Sequence, residues 1–104
     1  MKTVITATSN DVNSTFDKRF GRGAWFCLYD DETGETSFIE NVNVNANNGA
    51  GTSASALMAK LGAKKVISGH FGPKAKDVLD ELGIQMVIFQ EDNLTVQDII
   101  NKLK

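Results

Sequence analysis

The chain changes its apolar rhythm halfway along. In the first half the apolar residues come in short blocks with no helical repeat, at residues 4–7, 25–29 and 36–39. Each block is rich in β-branched or aromatic residues and is bounded by polar or glycine-containing stretches, so each predicts a strand. Residues 30–34 read Asp-Asp-Glu-Thr-Gly, a hairpin loop in which Gly34 is free to take a left-handed conformation. In the second half Ala54, Leu57, Met58 and Leu61 fall at i, i+3, i+4 and i+7, the spacing of one buried helical stripe. Ala75, Val78, Leu79 and Leu82 repeat it, and Val96, Ile99, Ile100 and Leu103 give a third stripe. Thr52 or Ser53 is expected to cap the first helix and Gly62 to end it. Pro73 suits the first turn of the second helix and Gly83 its end, while Thr95 with Asp98 caps the third. Val66-Ile67 and the run 86–89 predict two further strands, the latter reading as covered on both faces.

The element order is therefore β-β-β-α-β-α-β-α. A hairpin that leads into right-handed crossovers predicts a mixed five-stranded sheet of order 3-2-1-4-5, with the second strand antiparallel and helices on both faces. That is the α/β, three-layer, ribonuclease-H-like architecture, expected as a single domain over residues 1–104. In it the connections at 8–10, 20–23, 41–51 and 69–74 fall on one edge of the sheet, where open α/β sheets bind ligands. Two helix starts aim backbone N–H groups at that edge, which favours an anion.

Composition narrows the chemistry. The 104 residues carry 11 basic and 13 acidic side chains, a net charge of −2 that argues against a sequence-independent nucleic-acid binder. A single Cys excludes an internal disulfide and a thiolate zinc site, and no apolar run is long enough for a membrane span or a leader, so the expected compartment is the cytoplasm. The 41–51 stretch, rich in Asn and Gly, reads as a long shaped loop. The first strand bears no carboxylate, unlike the metal-dependent nucleases of this architecture, and no nucleophile elbow, phosphate loop or Cys–His pair is present, so no enzymatic activity is expected. His70, the only imidazole, lies in a strand-to-helix turn on the ligand edge and is the one candidate metal ligand. Arg22 and Lys74 beside the glycine turns are suited to balance a negative ligand. Cys27 and Trp25 are expected in the core, and Phe20 and Phe71 as lids or plugs at the sheet edge.

Phe20-Gly21-Arg22 after the first strand, Gly49-Ala50-Gly51 before the first helix, the run from Val66 through Ser68-Gly69-His70-Phe71-Gly72-Pro73-Lys74 to Ala75, and Leu82-Gly83-Ile84 occur in that order. Together they resemble the dinitrogenase iron–molybdenum cofactor biosynthesis family, the NifX-like and NafY-like domains also found at the C-terminus of NifB-like proteins. The resemblance covers nearly the whole chain. It implies the ribonuclease-H-like fold and the binding or carrying of an iron–molybdenum or iron–sulfur cluster, with proteins of cofactor assembly as partners. Members that hold the cofactor commonly have His just before the Phe-Gly-Arg triplet, where this chain has Arg19. A guanidinium pairs with an anion but does not ligate iron. The expected ligand edge comprises Ser9, Asn10, Arg19, Phe20, Gly21, Arg22, Asn48, Gly49, Gly51, His70, Gly72 and Lys74, with His70 as metal ligand. The alternative is a metal-free regulatory or scaffold domain that binds a phosphorylated metabolite or a partner protein.

Overall fold

The structure, a computed structural model, describes residues 1–42 and 49–104. Five strands and three helices follow in the expected order: β1 (Lys2–Ala7), β2 (Trp25–Asp30), β3 (Thr36–Glu40), α1 (Ala50–Lys60), β4 (Ala63–Ser68), α2 (Pro73–Glu81), β5 (Gln85–Ile88) and α3 (Val96–Leu103). The sheet order is β3-β2-β1-β4-β5. β2 is antiparallel to both neighbours, whereas β1, β4 and β5 pair in parallel. This is the ribonuclease-H-like arrangement that the hydrophobic pattern predicts.

The alternation of side chains along the strands divides the core into two layers. On one face Val4, Phe26 and Val66 pack with Ala54 and Met58 of α1 and with Ala75 and Leu79 of α2. On the other, Ile5, Cys27 and Ile67 pack with Val96, Ile99 and Ile100 of α3. Trp25 is half-buried and packs against this second layer. Burying a Leu- or Ile-sized side chain stabilises by about 1.5–3 kcal/mol, so these two layers, rather than surface ion pairs, hold the sheet edge in place.

Three local expectations are corrected. α1 starts at Ala50, and its N-cap is Gly49, not Thr52 or Ser53. Gly49 takes a φ of 75°, a left-handed conformation that admits glycine without strain, and this lets the chain turn into the helix earlier than a Thr or Ser cap would. The 86–89 run is covered on both faces only in part: Met86 packs against the first layer and Val87 and Phe89 against the second, but β5 is an edge strand and Ile88 is 55% exposed. The first and fourth strands also extend beyond their apolar centres, because β1 begins at Lys2 and β4 at Ala63, positions fixed by ladder pairing rather than by burial pattern. The expected loop at 41–51 falls mostly on residues 43–48, outside the described residues.

Candidate functional site

The carboxyl ends of β1 and β4, the start of β2 and the amino ends of α1 and α2 converge on one edge of the sheet. There the 19–22 turn crosses over the first turn of α1. The crossing is close: a Cβ on Gly21 would lie 2.9 Å from the Gly51 nitrogen and 3.0 Å from its Cα. Gly51 in turn faces Ala75 of α2, whose Cβ would stand 3.2 Å from a Cβ at position 51. Small residues at three successive levels thus allow a loop and two helix starts to meet.

The meeting point encloses a hollow of about 340 Å³ lined by Arg19, Phe20, Gly21, Arg22, Gly49, Ala50, Gly51, His70 and Gly72. A second hollow of about 350 Å³ adjoins it through Gly49, Gly51 and Gly72 and reaches Lys74. Neither helix start carries a side-chain cap or an acidic residue in its first turn. First-turn amides have no partner within their own helix, so both termini present donors and a positive partial charge to this edge. The contrast is α3, whose Thr95–Asp98 capping box closes its N-terminus with side chains.

The walls are fixed from several directions. The Phe20 N–H donates to the His70 carbonyl at 3.2 Å, and Arg19 bridges His70 in parallel fashion. The Asn41 side-chain amide donates to the Gly21 and Gly23 carbonyls at 3.0 and 2.8 Å. Beneath the turn, the Thr6 hydroxyl hydrogen-bonds the Asp17 carbonyl and lies 2.9 Å from the Ser68 hydroxyl. Asp17, 4% exposed, receives the Arg19 N–H at 2.9 Å and the Arg19 Nε and Nη2 at 3.1 Å each. This pairing raises the pKa of the Arg19 guanidinium, chiefly through the hydrogen bond and then through the carboxylate's charge.

Phe20 and Phe71 are plugs rather than lids, 1% and 4% exposed with ring centroids 5.0 Å apart. Phe20 lines the hollow from the core side, and Phe71 behind it lines the neighbouring depression. His70 is exposed and stands between this hollow and a third depression that includes Phe71, Pro73, Lys76 and Asp77. Ser9 and Asn10 do not line the hollow. After β1 the chain reverses, Phe16 pairs opposite Ala7, and the intervening loop is tied to α3 by Val96 N–H to Ser14 O (3.0 Å) and Gln97 N–H to Val12 O (2.8 Å). That tie carries the loop toward α3, away from α1 and α2. Asn48 lies outside the described residues. Asn41 and Thr6 carry no signal in sequence, because each acts through contacts 11 to 62 positions away, whereas Asp17, which reads in sequence as one of two loop carboxylates with Asp11, pairs with Arg19 only two positions on.

The donor set constrains what can be held. No group of three or more His, Cys, Asp or Glu side chains suited to a metal ion occurs among the described residues. Cys27 is fully buried and its thiol is pushed up to about 12 by desolvation, so it offers no thiolate. The hollow instead offers amides, guanidinium groups and one imidazole. Such a set suits an anion that brings its own coordination sphere, not a bare iron ion.

Fold and hollow together define a small α/β domain with two helix starts, two arginines and an imidazole gathered at the carboxyl edge of its sheet. The chain belongs to the dinitrogenase iron-molybdenum cofactor family, whose model it matches over residues 1–104. It is 31% identical over 91 residues to an uncharacterized protein of Methanocaldococcus jannaschii, an alignment spanning 85% of this chain and 75% of that protein. Among solved structures it is similar to the apo form of the orange protein from Desulfovibrio gigas, with a TM-score of 0.91 and 31% identity over 98% of this chain and 85% of the other. It is also similar to a proposed NifB protein of the DUF35 family from Thermotoga, with a TM-score of 0.84 and 26% identity over 98% and 85% of the two chains.

Proposed function

We propose that this protein is a binding or carrier module, without catalytic activity of its own, for a preassembled, negatively charged iron–molybdenum or iron–sulfur cluster. The cluster is cargo, received from and passed to proteins of cofactor assembly. The observation that carries the proposal is the hollow itself: two uncapped helix starts, Arg19, Arg22 and one exposed imidazole meet at a single cavity. Family membership supports the choice of a metal cluster over other anions. Near the surface each helix terminus favours an anion by about 0.3–1 kcal/mol, so binding draws on several modest contributions and suits a reversible carrier. His70 supplies the one candidate protein ligand, and Gly21, Gly49, Gly51 and Gly72 let the cargo approach the backbone. Arg19, Arg22 and Lys74 neutralise its charge.

The test is anaerobic incubation with a preassembled iron–sulfur cluster, followed by gel filtration and measurement of iron and absorption in the protein fraction. Retention by the wild type and a marked loss in His70→Ala support the proposal. Equal, negligible retention by both rules it out. The same amides and guanidinium groups also suit a phosphate, which favours the second possibility, a metal-free domain that binds a phosphorylated metabolite. In that case metal-free protein gains thermal stability with phosphorylated metabolites and shows no cluster uptake.

A further inference from the structure

Asp17 is the one buried carboxylate among the described residues. Burying a carboxylate is unfavourable unless it is paired and hydrogen-bonded, and its ionic partner, Arg19, has a side chain that is 66% exposed. An exposed guanidinium adds little stability through an ion pair. The turn alone does not require a carboxylate either: the Arg19 N–H bonds to Oδ1, and an Asn carbonyl in that position accepts the same bond. What an Asn cannot do is receive Nε on one oxygen and Nη2 on the other, as Asp17 does at 3.1 Å each.

We infer that Asp17 is the positioning residue of the hollow, holding the Arg19 guanidinium as a fixed fork that selects an anion able to accept hydrogen bonds in a defined direction. The inference rests on the proposed anion site and names what reads the anion's shape. Arg has five N–H donors; the Asp17 pair engages two of them, and three remain on a residue that lines the hollow. The support beneath the fork is rigid. The Asp17 carbonyl is hydrogen-bonded by Thr6, and Lys18 is anchored to the Gln90 carbonyl at 2.9 Å and to the Asp92 carboxylate. Gln90 returns a bond to the Gly69 carbonyl at 3.1 Å, and a Cβ on Gly23 would stand 2.8 Å from the Arg19 carbonyl. Residues 17–19 are therefore held before a ligand arrives, and little ordering remains to be done on binding.

Charge and orientation predict opposite signs for one substitution. Asp17→Asn removes a negative charge from beside an anion site, which by electrostatics alone tightens binding. It also frees the fork, which weakens binding. The experiment measures affinity for the preassembled iron–sulfur cluster in wild type, Asp17→Asn, Arg19→Lys and the double variant at one ionic strength, with the Arg19 Nε–H signal followed by NMR. The expected result is a resolved, slowly exchanging Nε–H signal in the wild type that is lost in Asp17→Asn, together with roughly tenfold weaker binding, the scale of one charge-assisted hydrogen bond. In the Arg19→Lys background, which has no fork to hold, Asp17→Asn then changes affinity less than about twofold. Equal or tighter binding by Asp17→Asn overturns the inference, as does equal weakening in both backgrounds, which marks a purely structural role. Absence of uptake by the wild type overturns the anion site and this inference with it. An unchanged Nε–H signal in Asp17→Asn overturns only the hold on the fork.

Discussion

Gly21→Ala puts a methyl group where the 19–22 turn crosses α1. The added carbon would stand 2.9 Å from the Gly51 nitrogen, 3.0 Å from the Gly51 Cα and 3.3 Å from the Ala50 carbonyl carbon. All three are backbone atoms, so no side chain can rotate away to make room. Gly21 is not among the glycines with positive φ, and alanine's conformation is therefore unstrained there. Overpacking of this kind costs about 2 kcal/mol, and the loss of unfolded-state freedom on replacing glycine offsets about 0.7 kcal/mol of that. The net destabilisation is about 1.3 kcal/mol, and with a urea slope of about 1 kcal/mol per molar the unfolding midpoint falls by about 1.3 M. Gly72→Ala is the control. Nothing lies within 4 Å of a Cβ at Gly72, whose φ of −66° suits alanine. The weaker N-cap and the stiffer unfolded chain nearly cancel, leaving that variant within about 0.5 kcal/mol of wild type. Urea unfolding followed by circular dichroism measures both. Equal midpoints for the two variants and the wild type would refute the close crossing on which the hollow depends.

Two further outcomes follow from residues away from the hollow. Burial raises the Cys27 thiol from 9.0 to about 12, so between those values the unfolded chain releases a proton that the native protein retains. Stability is therefore fully present below pH 9 and falls as pH rises toward 12, by at most about 1.4 kcal/mol per pH unit; urea titrations of wild type and Cys27→Ala show a steeper alkaline loss in the wild type, and parallel curves contradict the assignment. Thr95→Ala removes the hydroxyl that accepts the Asp98 N–H at 3.0 Å and leaves only the reciprocal bond from the backbone N–H of residue 95 to the Asp98 carboxylate, costing about 1 kcal/mol. The melting temperature then drops by about 4–8 °C, Thr95→Ser retains most of it, and a shift below about 1 °C shows that the box contributes nothing.

The architecture was legible because periodicity reports burial directly. The stripe at Val96, Ile99, Ile100 and Leu103 marks α3 because its inward residues must meet the sheet, and three of the four are in fact buried. The errors arose where backbone geometry overrides pattern. Thr52 and Ser53 have capping side chains, but Gly49 turns the chain first. The apolar run at 86–89 has the pattern of a strand covered along its whole length, yet at the edge of the sheet, where the predicted strand order also places it, Ile88 is left exposed. At the site, glycines signalled where chain segments approach, and topology signalled which of them share an edge. Ser9 and Asn10 were placed with that edge by topology alone, since the ties between residues 12–14 and α3 are invisible in sequence. The buried support from Thr6, Ser68 and Asn41 was illegible for the same reason: polar residues satisfied from across the fold carry no periodic signature, and the carboxylate of Asp17 shows in sequence without its burial.

Binding at the hollow is best decided by NMR on isotope-labelled protein mixed anaerobically with a preassembled paramagnetic iron–sulfur cluster. Electron spins broaden nearby amide signals, so the location of the cargo is read without a crystal. The expected pattern is selective loss of the amides at 19–22, 50–52 and 70–72, with the signals of Ser9, Asn10 and the 30–35 hairpin intact. Uniform broadening, no broadening, or losses centred on the smaller depression at Lys2, Asp30 and Glu35 would contradict a cluster carried between the two helix starts.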